Sequence, residues 1–243
     1  MEAIGPCNWG WISYEMAAAP YTAIAARVAA AADAAGHPVR LVAVSKTKPA
    51  DAVREMYREC GHRVFGENYV QELHEKATEL RADCPDIEWH FIGHLQSNKT
   101  KLLCSTPNLT TIQSVHSVEL ARKIDAAARD LGRSFDIMLQ VNSSGEGQKG
   151  GLAPGDVVDA NRAVRELQHV RLVGLMTIGM VDNAEHDFAV MRGLADDVRK
   201  QLGVERVELS MGMSADFEQA IAFGSTVVRV GTALFGARSY PKH

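Results

Sequence analysis

Lys46 stands at the tip of a nearly continuous apolar run, Val39-Arg40-Leu41-Val42-Ala43-Val44-Ser45, and is followed at once by Thr47-Lys48-Pro49. The run is rich in β-branched residues and reads as a strand buried on both faces, with Pro49 placed to open a helix. Lys46 therefore lies at the carboxyl end of a strand, where parallel α/β folds build their sites. Parity sharpens this: Val42, Val44 and Lys46 alternate onto one face, so an interior lined by the valines also receives the lysine. A primary amine held there can attack a carbonyl to form a Schiff base. The plainer role for such a lysine is to mark where the chain returns to solvent.

Two later loops have the chemistry of an oxyanion cradle. Gly212-Met213-Ser214 follows one strand-like segment, with Ser214 placed as N-cap of a helix beginning at Ala215. Gly231-Thr232-Ala233-Leu234-Phe235-Gly236 follows the next. Glycine lets backbone N–H groups approach an anion, and Ser or Thr adds a hydroxyl donor. Arg229 precedes Gly231 by two and so shares its face. Each loop alone could be an ordinary cap or turn; two at consecutive strand ends occupy the positions where barrels bind phosphate.

These residues need elements to position them, and from Tyr21 onward strand-like and helix-like segments alternate with little interruption. Strands are predicted over 39–46, 63–66, 87–92, 109–115, 135–141, 171–176, 206–210 and 226–230. Helices are predicted over 21–35, 50–60, 69–81, 98–104, 118–131, 154–167, 184–202 and 215–222, several stopped by a glycine. Eight strands separated by helices is the pattern of a single-domain (β/α)₈ TIM barrel, with an open doubly wound sheet as the structural alternative. After the last strand only 237–243 are left over, too few for a closing helix, so helix 21–35 is expected to cover the seam between the first and eighth strands. In a closed barrel those strands are neighbours. Lys46, Arg229 and both loops would then converge, and an inward lysine beside a phosphate cradle suits an aldehyde that carries a phosphate, such as pyridoxal phosphate.

Composition excludes several other classes. The chain has 243 residues, 46% hydrophobic and 23% charged, with a formal charge of −4, which leaves no electrostatic footprint for nucleic acid or an anionic membrane. No apolar stretch approaches the roughly 20 residues of a membrane helix. Cys7, Cys60, Cys84 and Cys104 are scattered without a C-x-x-C pair, which fits free thiols in a reducing compartment. Residues 1–19 carry Glu2 and Glu15 but no Lys or Arg, so neither a signal peptide nor a transit peptide is expected, and the location is expected to be cytoplasmic. Residues 1–16, including Trp9 and Trp11, read as a loosely ordered extension, with 17–243 forming the barrel. His90 and His94 fall four apart on a predicted strand face, but no third ligand of metal-site spacing accompanies them and no metal is expected. Gln96-Ser97-Asn98-Lys99 is a polar turn that offers Lys99 as a surface amine, or simply starts a solvated helix.

The motifs together resemble the pyridoxal phosphate homeostasis proteins, the YggS/PROSC group, which look like the barrel domain of alanine racemase without its second domain. The matching segments include Ala43-Val44-Ser45-Lys46-Thr47-Lys48-Pro49, Phe65-Gly66-Glu67-Asn68-Tyr69, and Trp89-His90-Phe91-Ile92-Gly93-His94-Leu95-Gln96-Ser97-Asn98-Lys99. Gly174-Leu175-Met176, Ser210-Met211-Gly212-Met213-Ser214 and Val230-Gly231-Thr232-Ala233-Leu234-Phe235-Gly236 complete the set, in family order. The resemblance implies pyridoxal 5'-phosphate as cofactor, held as an internal aldimine on Lys46. It also implies phosphate contacts from Ser214, Gly231 and Thr232, Asn68 near the ring oxygen, and Arg229 facing either the ring nitrogen or the phosphate. It implies a non-catalytic monomer that buffers the cofactor or delivers it to pyridoxal-phosphate-dependent apoenzymes. A racemase is the alternative. Racemisation needs acid/base groups on both faces of the substrate carbon, and in the family comparison the second comes from a tyrosine of another domain, which this chain is expected to lack. An arginine at the ring nitrogen would also oppose its protonation and weaken the electron sink. A class I aldolase using Lys46 on a sugar phosphate would need the same two features.

Overall fold

The computed structural model describes residues 18–145, 150–179 and 183–237. The extension expected over 1–16 and the tail 238–243 lie outside the described residues. The chain order is α1 (Ala18–Ala35), β1 (Arg40–Val44), α2 (Ala50–Glu59), β2 (Val64–Glu67), α3 (Val70–Leu80), β3 (Glu88–Phe91), α4 (Thr100–Cys104), β4 (Leu109–Val115) and α5 (Val118–Asp130). It continues with β5 (Phe135–Gln140), α6 (Val157–Arg165), β6 (Val170–Met176), α7 (Ala184–Leu202), β7 (Glu208–Ser210), α8 (Phe217–Ala222), β8 (Val227–Val230) and α9 (Thr232–Phe235).

The helices form where a capping residue meets a periodic apolar stripe. In α5 the Ser117 hydroxyl accepts the Leu120 N–H at 3.1 Å, and Leu120, Ala121, Ile124, Ala127 and Ala128 then bury one face against the sheet. The helix α7 stops at Gly203, whose φ of 65° is left-handed and costs a residue without Cβ little. The strands are buried on both faces, as parallel strands covered by helices must be.

All eight strands pair in order and in parallel, and β8 returns to β1 with Arg40–Ala43 opposite Val227–Val230. The sheet is therefore a closed barrel and not an open doubly wound sheet. One core lies between sheet and helices; a second, of Val42, Met138, Met176 and Val227 with Val64 and Val173 against it, fills the axis. At Gly174 an added Cβ would lie 2.0 Å from the Glu208 carbonyl oxygen, so only glycine lets β6 approach β7 this closely.

The seam is covered as the sequence predicts, since α1 packs on both α8 and α9. Arg27 of α1 donates to both oxygens of Glu218 at 2.9 and 2.7 Å, and its guanidinium lies over the Phe217 ring. The four-residue helix α9 is not anticipated by the sequence reading, because its residues belong to the loop read as a phosphate cradle. Among the described residues no helix is long and apolar enough to cross a membrane.

Candidate functional site

A cavity of about 280 Å³ opens at the carboxyl end of the barrel, and Lys46, Asn68, Ser214, Arg229, Gly231 and Thr232 all line it. The strand β1 ends at Val44, but the Ser45 N–H still donates to the Gly66 carbonyl at 3.0 Å, so the strand alternation runs one step further. Val42 accordingly packs in the barrel axis, and Val44 and Lys46 line the cavity above it. Ile92, Met176 and Ile178 supply apolar wall.

Arg229 reaches the floor of the cavity from β8 and is buried. Its guanidinium donates to Ser210 Oγ at 2.6 Å and to the Thr177 carbonyl at 2.7 Å. Burial lowers its pKa to about 10, which leaves it cationic at neutral pH. The anchor continues inward: Ser210 Oγ donates to Gln113 Oε1 at 2.6 Å, and the Gln113 amide stands 2.7 Å from His90 Nδ1. Arginine only donates, so every later link has one polarity; Gln113 must donate to Nδ1, and the His90 proton sits on Nε2.

The cradle differs from its predicted form in one respect. Ser214 is not the N-cap of the following helix, which begins later, at Phe217, with Asp216 at the cap position. Asp216 Oδ1 instead accepts the Met213 N–H at 2.6 Å and shapes the loop, which leaves the Ser214 hydroxyl to accept the Gly231 N–H at 3.3 Å. That long bond ties the loop after β7 to the loop after β8. A Cβ at Gly231 would meet both Cβ and O of Val44 at 3.3 Å, so a side chain there would crowd β1. Thr232 opens α9, and the N–H groups of Leu234 and Phe235 in that turn both donate to the Gly231 carbonyl at 2.9 Å.

Asn68 follows β2 and carries the most informative atom. Its Oδ1 is buried without a hydrogen-bond partner although the residue lines a cavity. A buried amide oxygen left unpaired is costly, so this position suits a ligand that donates a hydrogen bond. The Asn68 backbone is fixed by Gly93, where a Cβ would fall 1.9 Å from the Asn68 carbonyl oxygen.

The predicted alternation of His90 and His94 fails, because β3 ends at Phe91 and His94 lies beyond the pleat. His90 is inside the barrel, whereas the exposed His94 stacks on His116 with ring centroids 5.2 Å apart. Among the described residues no cluster of three metal-ligating side chains occurs. Lys99 closes an exposed 3-10 turn, Ser97–Lys99, and does not line the cavity. The roles of Gln113, Ser210 and His90 beneath Arg229 are not anticipated from the sequence, because β4, β7 and β3 carry other polar residues, Thr110, Thr111, Ser114, Glu208 and Glu88, among which these three do not stand out.

A lysine, an arginine and Ser214, Gly231 and Thr232 gathered around one cavity at the carboxyl end of a closed parallel barrel stand where barrels of this class build their ligand sites. The family of the alanine racemase N-terminal domain matches residues 21–239. The pyridoxal phosphate homeostasis protein of Bos taurus is 46% identical over 215 residues, covering 84% of this chain and 78% of that protein. Among solved structures, PipY of Synechococcus elongatus without PLP has a TM-score of 0.81 at 38% identity, covering 90% of this chain and 100% of its own. The same protein with PLP bound has a TM-score of 0.78, covering 90% and 99%. This chain belongs to the alanine racemase N-terminal domain family and, within it, to the pyridoxal phosphate homeostasis proteins.

Proposed function

We propose that the protein binds pyridoxal 5'-phosphate in this cavity, holds it as a Schiff base on Lys46, and serves vitamin B6 homeostasis without turning over amino acids. The observation that carries this reading is the orphaned Asn68 Oδ1 in a cavity that also holds Lys46, Arg229 and the Ser214-Gly231-Thr232 cradle. The residues fit the cofactor in kind: an amine for the aldehyde, an acceptor for the ring hydroxyl, and hydroxyl and N–H donors for the phosphate. PipY, at 38% identity over nearly its whole length, has a solved structure with PLP bound, which supports the same ligand here.

When bound, the cofactor would supply an aldehyde that reacts with amines and a ring that withdraws electrons. The protein's part is to hold and orient. Ser214 and Thr232 would present hydroxyls to the phosphate, and the Gly231 N–H, whose 3.3 Å bond to Ser214 Oγ is long, would be shared with it. Arg229 lies two residues before Gly231, deeper in β8, and we assign it to the ring nitrogen. Held by Ser210 and Thr177, this guanidinium is a fixed cation with donors only, so against the ring nitrogen it would disfavour protonation there and leave the ring a weak electron sink. That suits storage better than carbanion chemistry, and it agrees with the name homeostasis protein carried by the relatives. We place this activity in the cytoplasm, in a monomer that exchanges the cofactor with dependent apoenzymes.

The test incubates cofactor-loaded protein with L-alanine or L-serine in deuterium oxide and follows α-proton exchange and enantiomer ratio. The expected result is a spectral shift as the amino acid displaces Lys46, without an altered product. Exchange or racemisation faster than about 1 s⁻¹ and lost in Lys46→Ala would establish an enzyme instead.

A further inference from the structure

Beneath the loop that carries Lys46 lies a buried ionic cluster. Lys76 Nζ, on α3, donates to Glu67 Oε1 at 2.6 Å, to Glu72 Oε1 at 2.7 Å and to the Ser45 carbonyl at 2.8 Å. Glu72 Oε1 also accepts the Thr47 N–H at 2.6 Å, and Glu67 Oε1 accepts the Ser45 hydroxyl at 2.7 Å. Glu67 and Ser45 are fully buried, and Lys76 is nearly so. The cluster therefore grips the residue before Lys46 by its carbonyl and hydroxyl, and the residue after it by its N–H.

The backbone explains why a grip is needed. Thr47 has a φ of 63°, a left-handed conformation that a β-branched residue resists. Strain of that kind persists only where the surroundings over-determine it. Here the Thr47 N–H is turned onto Glu72, and the Ser45 carbonyl, held by Lys76, also accepts the Lys48 N–H at 3.0 Å in a tight turn around Lys46. The same cluster reaches the second wall of the cavity, since Glu67 directly precedes Asn68. A surface role for Glu72 and Lys76, the usual one for a carboxylate and an amine four apart on a helix, does not describe a lysine bonded to three groups in the interior.

We propose that Glu67, Glu72 and Lys76 are positioning residues that hold the Ser45–Thr47 turn so that the Lys46 amine is aimed at a bound aldehyde. The inference rests on the Schiff-base reading above. Its consequence is a division of labour. The cradle and Arg229 decide whether the ligand is bound, and the cluster decides whether it is held covalently. In the step concerned, Lys46 Nζ forms a double bond to the aldehyde carbon, and the aldehyde oxygen leaves as water with two protons from the amine.

Two ligands separate the functions: pyridoxal 5'-phosphate, and pyridoxine 5'-phosphate, which has the same ring and phosphate but an alcohol in place of the aldehyde. For the native protein, Glu72→Ala and the milder Glu72→Gln, pyridoxine phosphate binding is measured by equilibrium dialysis. Covalent capture of pyridoxal phosphate is measured by borohydride reduction and peptide mapping. The expected result for Glu72→Ala is pyridoxine phosphate affinity within about twofold of native but at least a tenfold smaller Schiff-base equilibrium constant, with Glu72→Gln between. Adding Thr47→Gly, which takes a φ of 63° without strain, should restore part of the capture. Unchanged capture in Glu72→Ala, or equal weakening of both ligands with no rescue by Thr47→Gly, would overturn the positioning role. Native protein that captures nothing on Lys46 would instead overturn the Schiff-base reading on which this one stands.

Discussion

Acidification should destabilise the barrel through His90, by an amount the structure sets. The imidazole is 1% exposed in the barrel interior, with Nδ1 accepting from Gln113 and Nε2 buried without a partner. Desolvation, with a smaller contribution from the charge of Arg40, lowers its pKa from 6.5 to about 3. A depressed folded value means that the unfolded chain takes up a proton near pH 6.5 while the folded chain refuses it until about pH 3. Stability is thus present above 6.5 and is lost as pH falls, by about 1.4 kcal/mol per unit in the middle of the window. Between pH 7 and about pH 4.5 the loss integrates to about 2.5 kcal/mol. The comparison variant is His90→Asn, which keeps an acceptor for Gln113 but cannot titrate. Urea unfolding of both proteins at the two pH values gives the answer as a difference of differences, so groups common to both cancel. The stability advantage of native protein over variant should shrink by about 2.5 kcal/mol at the lower pH. An advantage constant to within about 0.5 kcal/mol would refute a neutral, buried His90 and the fixed polarity of the chain that ends on Arg229.

Burial pushes the Glu67 carboxyl up to about 7, against the pull of Lys76, so the folded state binds the extra proton and Glu67 costs stability as pH rises from 4.5 towards 7. Glu67→Gln should remove that slope in the unfolding free energy, and an unaltered slope would contradict it. Ser214→Ala deletes the acceptor of the Gly231 N–H and a proposed phosphate donor. At about 1.5 to 3 kcal/mol for a charge-assisted hydrogen bond, equilibrium dialysis should show cofactor retention weakened roughly tenfold or more. Gly93→Ala would drive a methyl to 1.9 Å from the Asn68 carbonyl oxygen. It should cost about 1 to 3 kcal/mol in thermal or urea unfolding and loosen the ligand through Asn68.

The alternation of strands and helices was legible because each element carried its own signal. Glycine stops such as Gly203 and the double-sided burial of runs like Val42–Val44 are local properties of the chain. The place of Lys46 on the cavity wall was also legible, because strand parity holds as long as the ladder does, and the Ser45 N–H extends it to Gly66. Parity misled at His94 for the complementary reason, since β3 stops at Phe91. The Ser214 cap was misread because the serine met two competing partners: the helix start, which the chain shows, and the Gly231 N–H on another strand, which it does not. Least legible was the cluster under Lys46. Glu72 and Lys76 at i,i+4 look like a solvated helix pair until the closed barrel brings Glu67 and Ser45 against them. No local pattern encodes that meeting.

The most direct test of the central claim is borohydride reduction of the purified protein loaded with pyridoxal 5'-phosphate, followed by peptide mass mapping. One reduced pyridoxyl adduct is expected, on Lys46, and it should be lost together with the yellow aldimine absorbance in Lys46→Ala. Loose binding through Ser214, Gly231 and Thr232 should persist in that variant. An adduct mapped to Lys48 or Lys99, or an aldimine band unchanged in Lys46→Ala, would contradict it.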